Sequence, residues 1–120
     1  MHRLVHIVRF ESARRLTKVP KEHPCSNLYG LAFKLEIHIQ GEMNKESGFV
    51  LDFNEIEKSF SPIYKLIDHN YLNEIEGLEN PTSENLALWI WGKLKPQLPL
   101  LSTIEIKETC TSGCVYSGES

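Results

Sequence analysis

The chain has 120 residues, which is enough for one domain with a real hydrophobic core and too few for two. Hydrophobic residues make up 41% and charged residues 24% of the chain, near the averages of globular domains, which argues against disordered, collagen-like or disulfide-scaffold classes. The net charge of −3 provides no basic footprint for nucleic acid or an anionic membrane surface. No apolar run approaches the roughly 20 residues that span a bilayer, so no membrane association is expected.

The cysteines and the first residues of the chain indicate the cellular compartment of the protein. Three cysteines, Cys25, Cys110 and Cys114, are an odd number and too few for a secreted disulfide framework. The segment from Met1 to His6 lacks the apolar core and the small-residue cleavage site of a signal peptide. We therefore expect a cytoplasmic protein.

Two segments of alternating polarity predict the first two strands. Residues 3–13 alternate with both faces partly apolar, and a loop follows over residues 17–26. Residues 29–40 then alternate with one apolar face and end at Gly41. Because no helix lies between them, the two strands are expected to pair antiparallel.

Two helical patterns come next. Asp52 starts a capping-box pattern, and apolar residues at spacings of three and four continue from Phe53 to Ile67. Pro62 lies inside this pattern and predicts a kink or a restart of the helix. The second helix is expected to start over residues 82–85, where a hydroxyl cap is followed by an acid, and to end before Pro96.

The end of the chain predicts two more strands. Ile104 and Ile106 define the apolar face of a third strand, and the tail over residues 109–116 predicts a short fourth strand around Gly113. Strands separated from helices predict an α+β fold, in which one domain over residues 1–120 has a four-stranded antiparallel sheet with two helices on one face. Such a sheet has two open edges, so assembly into oligomers through those edges is expected.

A few side chains are candidates for chemistry. Glu108 follows the alternation that places Ile104 and Ile106 on the apolar face of the third strand. On that face its two oxygens suit a ligand with adjacent N–H groups. If the alternation does not extend to Glu108, the side chain is simply solvated at the end of the strand. Asp68 beside His69 can orient an imidazole or can be an ordinary polar loop. Cys25 could complete a thiol, imidazole and carboxylate set for proton transfer, although a lone cysteine is more often a small buried hydrophobe.

Histidine spacing gives no metal site. No two of the five histidines lie at the strand spacing of two, and His2 and His6, which are four residues apart, lie at the start of a predicted strand and not in a helix. His23 and Cys25 are two residues apart, which leaves a rearranged metal site as an open alternative.

Six blocks of the sequence carry a resemblance to known proteins: FESARRL at 10–16, CSNLYGL at 25–31, VLDF at 50–53, LIDHNYLN at 66–73, NPTSENLA at 80–87 and KETC at 107–110. In order and spacing, they resemble the signatures of the 6-pyruvoyl-tetrahydropterin synthase family. The resemblance spans nearly the whole chain and is strongest to the bacterial 6-carboxy-tetrahydropterin synthases of the 7-deazaguanine (queuosine) route. It implies the tunnelling fold, in which ββααββ units form oligomeric barrels, tetramers or hexamers, with active sites between subunits.

The resemblance also implies roles for single residues. Cys25, Asp68 and His69 match the residues that move protons on the substrate side chain in the family. Glu108 matches the glutamate that binds the pterin in the family, and Thr82 and Ser83 would lie beside the pterin pocket. The implied substrate is dihydroneopterin triphosphate or a related pterin.

One part of the family pattern is missing. The family binds zinc through three histidines, and the matching positions here are Arg14, Tyr29 and Leu31. Arginine and leucine cannot coordinate zinc, and a lone tyrosine makes no site, so no metal and no other cofactor is expected. Arg14 would instead place a permanent charge near the oxygens of the substrate side chain, and Tyr29 would offer a hydroxyl to the substrate.

Three interpretations of the sequence remain. The first is a zinc-free enzyme, either a synthase or a metal-free pterin side-chain aldolase, since Cys25, Asp68, His69 and Glu108 are all retained. The second is a non-catalytic paralogue that binds a pterin or purine-like ligand through Glu108. The third is an engineered loss of the zinc site. This interpretation is less attractive, because designers usually choose alanine and the three replacements here are all different.

Overall fold

A computed structural model describes residues 1–108 and 112–118. Within these residues the chain forms four strands, two α-helices and two short 3₁₀ helices at Pro24–Ser26 and Leu72–Glu74. The elements are β1 (His2–Arg14), β2 (Tyr29–Gly41), α1 (Phe53–Ile67), α2 (Ser83–Leu94), β3 (Leu101–Glu108) and β4 (Ser112–Tyr116). The predicted α+β fold with an antiparallel four-stranded sheet is therefore confirmed. The predicted tail strand is found from Ser112, and its first residues, 109–111 with Cys110, lie outside the described residues.

The sheet has the order β1-β2-β3-β4, and every neighbouring pair is antiparallel. Its register places Arg14 opposite Tyr29 and Phe33 opposite Glu108. Residues of β2 alternate between buried and partly exposed, so one face of the sheet packs on the helices and the other is open. β1 and β4 are the two edge strands.

The two helices supply the other half of one hydrophobic core. The side chain of Asp52 accepts a hydrogen bond from the Asn54 N–H at the start of α1, and the Thr82 side chain accepts one from the Asn85 N–H at the start of α2. Both predicted helix starts are thus confirmed. The buried residues of the helices are Ile56, Phe60, Ile63 and Ile67 in α1 and Ser83, Leu86, Ala87, Ile90 and Leu94 in α2.

The predicted restart at Pro62 was wrong, because α1 runs without a break from Phe53 to Ile67. Proline cannot donate the hydrogen bond that its position in the helix requires. However, Phe60 and Ile63 are buried on either side of it, and their packing holds the helical backbone in place. Among the described residues, no helix is both long enough and apolar enough to cross a membrane.

Candidate active site

Arg14 is the centre of a polar network at one end of the sheet. Only 4% of its side chain is exposed. Its Nε donates to the Tyr29 hydroxyl at 2.9 Å, one Nη to the Pro81 carbonyl at 3.0 Å, and the other Nη to the Glu108 carboxylate at 2.6 Å. The guanidinium carbon also lies 5.5 Å from the ring centroids of Tyr29 and Phe33. The charge is therefore fixed in position by protein groups.

Glu108 lies on the helix-facing side of β3, as one of the two interpretations of its phase predicted. It is opposite the buried Phe33, and 29% of its side chain is exposed. One carboxylate oxygen accepts from Arg14 and the other accepts a short hydrogen bond from the Ser83 hydroxyl. A carboxylate has about four lone-pair sites, so two acceptor sites remain after these bonds. The carboxylate is oriented on one side and can still accept hydrogen bonds from a ligand.

Tyr29 connects this network to Cys25. Burial raises the pKa of the Tyr29 phenol above its ordinary value, the Cys25 thiol raises it further, and the Arg14 charge acts in the opposite direction. The phenol is therefore protonated at neutral pH. Cys25 is partly buried in a short turn, where its N–H donates to His23 Nδ1 at 3.0 Å and its carbonyl accepts from the Leu16 N–H at 2.8 Å.

Asp68 and His69 form a second polar group beside β1. The Asp68 carboxylate lies 2.8 Å from His69 Nδ1 and also accepts from the Glu11 N–H at 3.1 Å. The hydrogen bond with His69 lowers the pKa of Asp68, and the same hydrogen bond raises the pKa of His69. The imidazole is 72% exposed, and its Nε2 is 3.6 Å from a Glu11 carboxylate oxygen. An oriented and accessible imidazole of this kind can accept or return a proton.

The backbone at His69 is unusual. Its φ is 56°, in the left-handed region that residues with a Cβ rarely adopt. The His69 N–H donates to the Glu11 carbonyl at 2.6 Å, and the Asn70 amide donates to the carbonyls of Lys65 and Leu66 at the end of α1. These bonds hold the turn in its strained conformation.

The two groups do not meet within one chain. The Arg14 network lies on the helix-facing side of the sheet, whereas His69 lies at the edge formed by β1 and borders a cleft of about 570 Å³. In residues 1–108 and 112–118, no hydrogen bond or ion pair joins Cys25 to Asp68 or His69. A single chain therefore holds the ligand-orienting group and the proton-transfer group at separate places.

Three further groups at these places did not come from the sequence analysis. Tyr64 hydrogen-bonds to Asp68, which raises the pKa of the tyrosine, and the spacing of four residues along one helical face could have indicated this contact. Glu11 is brought to Asp68 and His69 by a long-range contact, and Pro81 contributes only a backbone carbonyl. Neither of these two carries a local sequence signal.

The positions of the expected zinc ligands do not fit a zinc ion. Arg14 is a cation whose nitrogens all act as donors, Tyr29 is held as a phenol, and Leu31 has no ligand atom. Arg14 and Tyr29 are hydrogen-bonded to each other across β1 and β2. We therefore derive no chemical step through zinc at this place.

Comparison with known proteins identifies the class to which this fold and site belong. The sequence model of the 6-pyruvoyl tetrahydropterin synthase family matches residues 3–119, and the chain belongs to that family. It is 38% identical over 113 residues to the 6-carboxy-5,6,7,8-tetrahydropterin synthase of Synechocystis sp., covering 89% of this chain and 86% of the relative. It is 35% identical over 97 residues to the dihydroneopterin monophosphate aldolase of Pyrococcus furiosus, covering 81% and 78%.

The solved structures agree with the family assignment. The structure of the Caenorhabditis elegans 6-pyruvoyl tetrahydropterin synthase superposes with a TM-score of 0.91 at 25% sequence identity. The superposition covers 98% of this chain and 96% of the other.

Proposed function

We propose that this chain is a lyase acting on the side chain of a pterin, as a zinc-free counterpart of 6-carboxy-5,6,7,8-tetrahydropterin synthase in queuosine biosynthesis. The proposed substrate is dihydroneopterin triphosphate or a related pterin. The observation that carries the proposal is Glu108, which Arg14 and Ser83 orient while two of its acceptor sites stay available. The likeness to the Synechocystis relative supports the reaction class.

Glu108 would recognise the ring of the substrate. The amino-pyrimidinone edge of a pterin presents two adjacent N–H groups, which match the two remaining acceptor sites of a fixed carboxylate. Arg14 is almost fully buried, so it acts through Glu108 as a positioning residue. Thr82 and Ser83, at the start of α2, would border the bound ring.

Cys25, Asp68 and His69 would move protons on the side chain of the substrate. Asp68 orients His69 and stabilises its protonated form, so the imidazole can remove a proton from a carbon beside a carbonyl and later return it. The Cys25 thiol would exchange a proton at the neighbouring position. Because these groups lie apart within one chain, we propose that His69 of a second copy completes the site at Cys25, in a homo-oligomer.

A metal-free aldolase is the second candidate, and the relative from Pyrococcus furiosus favours it. Carbon–carbon cleavage in a hydroxylated side chain needs a base for the hydroxyl proton and an acid for the carbon that is released. His69 and Cys25 can fill these two roles. The two candidates give products of different mass from the same assay.

The test is turnover of dihydroneopterin triphosphate by chelator-treated protein of known metal content, with products identified by mass spectrometry. We expect product formation without bound zinc, loss of turnover in Cys25→Ala, and nearly unchanged ligand affinity in that variant. We expect Glu108→Ala to lose pterin binding and Arg14→Met to weaken it about tenfold through Glu108, the equivalent of one charge-assisted hydrogen bond.

The exposed neighbour Arg15 provides the matched control, and Arg15→Met should bind as the parent does. Saturable pterin binding without any turnover would instead make the chain a binding paralogue. If the parent protein showed neither binding nor turnover, the proposal would be rejected.

A further inference from the structure

On the open face of the sheet, two glutamates and a histidine come together away from the candidate active site. Glu36 and Glu105 lie directly opposite each other on β2 and β3, and His38 follows two residues after Glu36 on the same face. One ligand atom from each of the three residues lies within 4.8 Å of the other two. Their side chains are only 15%, 22% and 12% exposed, respectively.

Two carboxylates in this placement repel each other, and a cation or a shared proton between them relieves the repulsion. Like charges directly opposite each other in an antiparallel sheet destabilise the pairing of the strands. Lys34 Nζ is 3.4 Å from Glu36 Oε2, and Lys107 Nζ is 4.0 Å from Glu105 Oε1. Each lysine is therefore within 4.0 Å of one carboxylate, and Glu36 Oε1 lies 3.0 Å from His38 Nε2.

The imidazole of His38 is not fully satisfied by the chain. Its Nδ1 is buried and has no hydrogen-bond partner among the described residues. One imidazole nitrogen and two carboxylate oxygens are a ligand set that suits Zn²⁺ and related divalent transition metals.

We propose that Glu36, His38 and Glu105 bind a divalent transition metal ion, with Zn²⁺ as the first candidate, on the open face of the sheet. Metal–ligand bonds of about 2.0–2.1 Å in a tetrahedral arrangement separate ligand atoms by about 3.3 Å. The ligand atoms of the cluster all lie within 4.8 Å of one another, so each pair has to close by at most about 1.5 Å to reach that separation. Three protein ligands leave one position for water, and the ion joins the two central strands at the pair of like charges.

This site is distinct from the one that the family pattern places at Arg14, Tyr29 and Leu31. Those three residues lie on the helix-facing side of the sheet, and the cluster lies on the other side. The inference is therefore independent of the proposed pterin chemistry, and either one can fail alone.

The test is calorimetric titration of the chelator-stripped full chain with Zn²⁺, followed by Co²⁺ with absorption spectroscopy to detect an imidazole ligand. We expect one saturable site per chain, a rise in Tm on adding Zn²⁺, and at least a tenfold loss of affinity in His38→Gln and in Glu105→Gln. Lys34→Gln should bind more tightly, since it removes a competing cation.

The matched control changes the same residue types elsewhere on the surface. His2 and Glu42 are exposed, and the double variant His2→Gln/Glu42→Gln should bind Zn²⁺ as the parent does. Because Glu105→Gln removes one of two like charges, the Tm of the metal-free variant should be at least that of the metal-free parent, which separates loss of metal from loss of folding. Absence of saturable binding, or binding unchanged in Glu105→Gln, would overturn the proposal.

Discussion

At the scale of single residues, Arg14 occupies the position where the family resemblance implies a histidine ligand, and an arginine there changes what a neighbouring group can do. A metal ligand supplies a lone pair, whereas a guanidinium supplies only donors, so Arg14 takes acceptors as partners and finds them in Tyr29, Pro81 and Glu108. The sequence indicated that Arg14 would lie near the substrate. It did not indicate that the charge would be used on Glu108, because residues so far apart in the chain are brought together only by the sheet register.

Asp68 and His69 give a prediction about pH. The folded pKa of His69 is raised from its ordinary value of 6.5, so the stabilisation by this pair is fully present below that value and is lost as pH rises through the folded pKa. The pKa of Asp68 is lowered from 3.8, so the same stabilisation is present above that value and is lost as pH falls through its folded pKa. The pair is therefore most stabilising between these two ordinary values.

A titration of the His69 ring followed by NMR checks this prediction. The ring should titrate above 6.5 in the parent protein and at a lower pH in Asp68→Asn. Glu11→Gln should lower the pKa less, because the Glu11 charge is the smallest of the causes that shift it. An unchanged titration in Asp68→Asn would show that the carboxylate does not control the imidazole.

The residue types alone did not reveal the Glu36, His38 and Glu105 cluster. Glu36 and His38 lie two residues apart on the same face of β2, and a search for pairs of histidines does not find them. The third member comes from β3, and only the pairing of β2 with β3 brings it into place. Contacts between distant segments are the part of a site that a single sequence leaves undetermined.

At the scale of elements, most of this structure could be predicted because each pattern had one interpretation. The alternation of apolar and polar residues predicted both ends of β1 and of β2 to within one residue. The hydroxyl of Thr82 predicted the start of α2. The wrong prediction of a restart at Pro62 has a simple cause. A local rule for proline was applied to a helix whose apolar stripe is buried on both sides of that position, and tertiary packing was stronger than the local preference.

This leads to a prediction about α1. Pro62 is exposed, and in Pro62→Ala the new N–H can donate to the Lys58 carbonyl. We expect the variant to be more stable by roughly 1–2 kcal/mol, after the greater freedom of the unfolded chain offsets part of the gain. Urea unfolding measures the change, and Ser61→Ala on the same exposed surface should lie within about 0.5 kcal/mol of the parent. A less stable Pro62→Ala would mean that the proline fits a bend that the core requires.

At the scale of the whole molecule, the separation of Cys25 from His69 leads to a prediction about assembly. Cys25→Ala and His69→Ala should each be inactive in the turnover assay. If the two residues act across an interface between copies, unfolding and refolding an equal mixture of the variants should restore about one quarter of the parental rate. If both residues of a site came from one chain, every site in the mixture would carry a defect and no activity would return. Cys25→Ala refolded alone is the control.

The left-handed backbone at His69 has a consequence for how the whole molecule would respond to selection. Glycine or asparagine would adopt that conformation at lower cost, so His69→Gly should raise the folding stability of the entire chain by about 1 kcal/mol at a pH above the folded pKa of His69, where the pair with Asp68 no longer stabilises the fold. Variants screened only for survival at high temperature would therefore accumulate changes at position 69 and lose the imidazole. Thermal robustness and proton transfer compete at this one residue, and only a screen that demands both would keep the histidine.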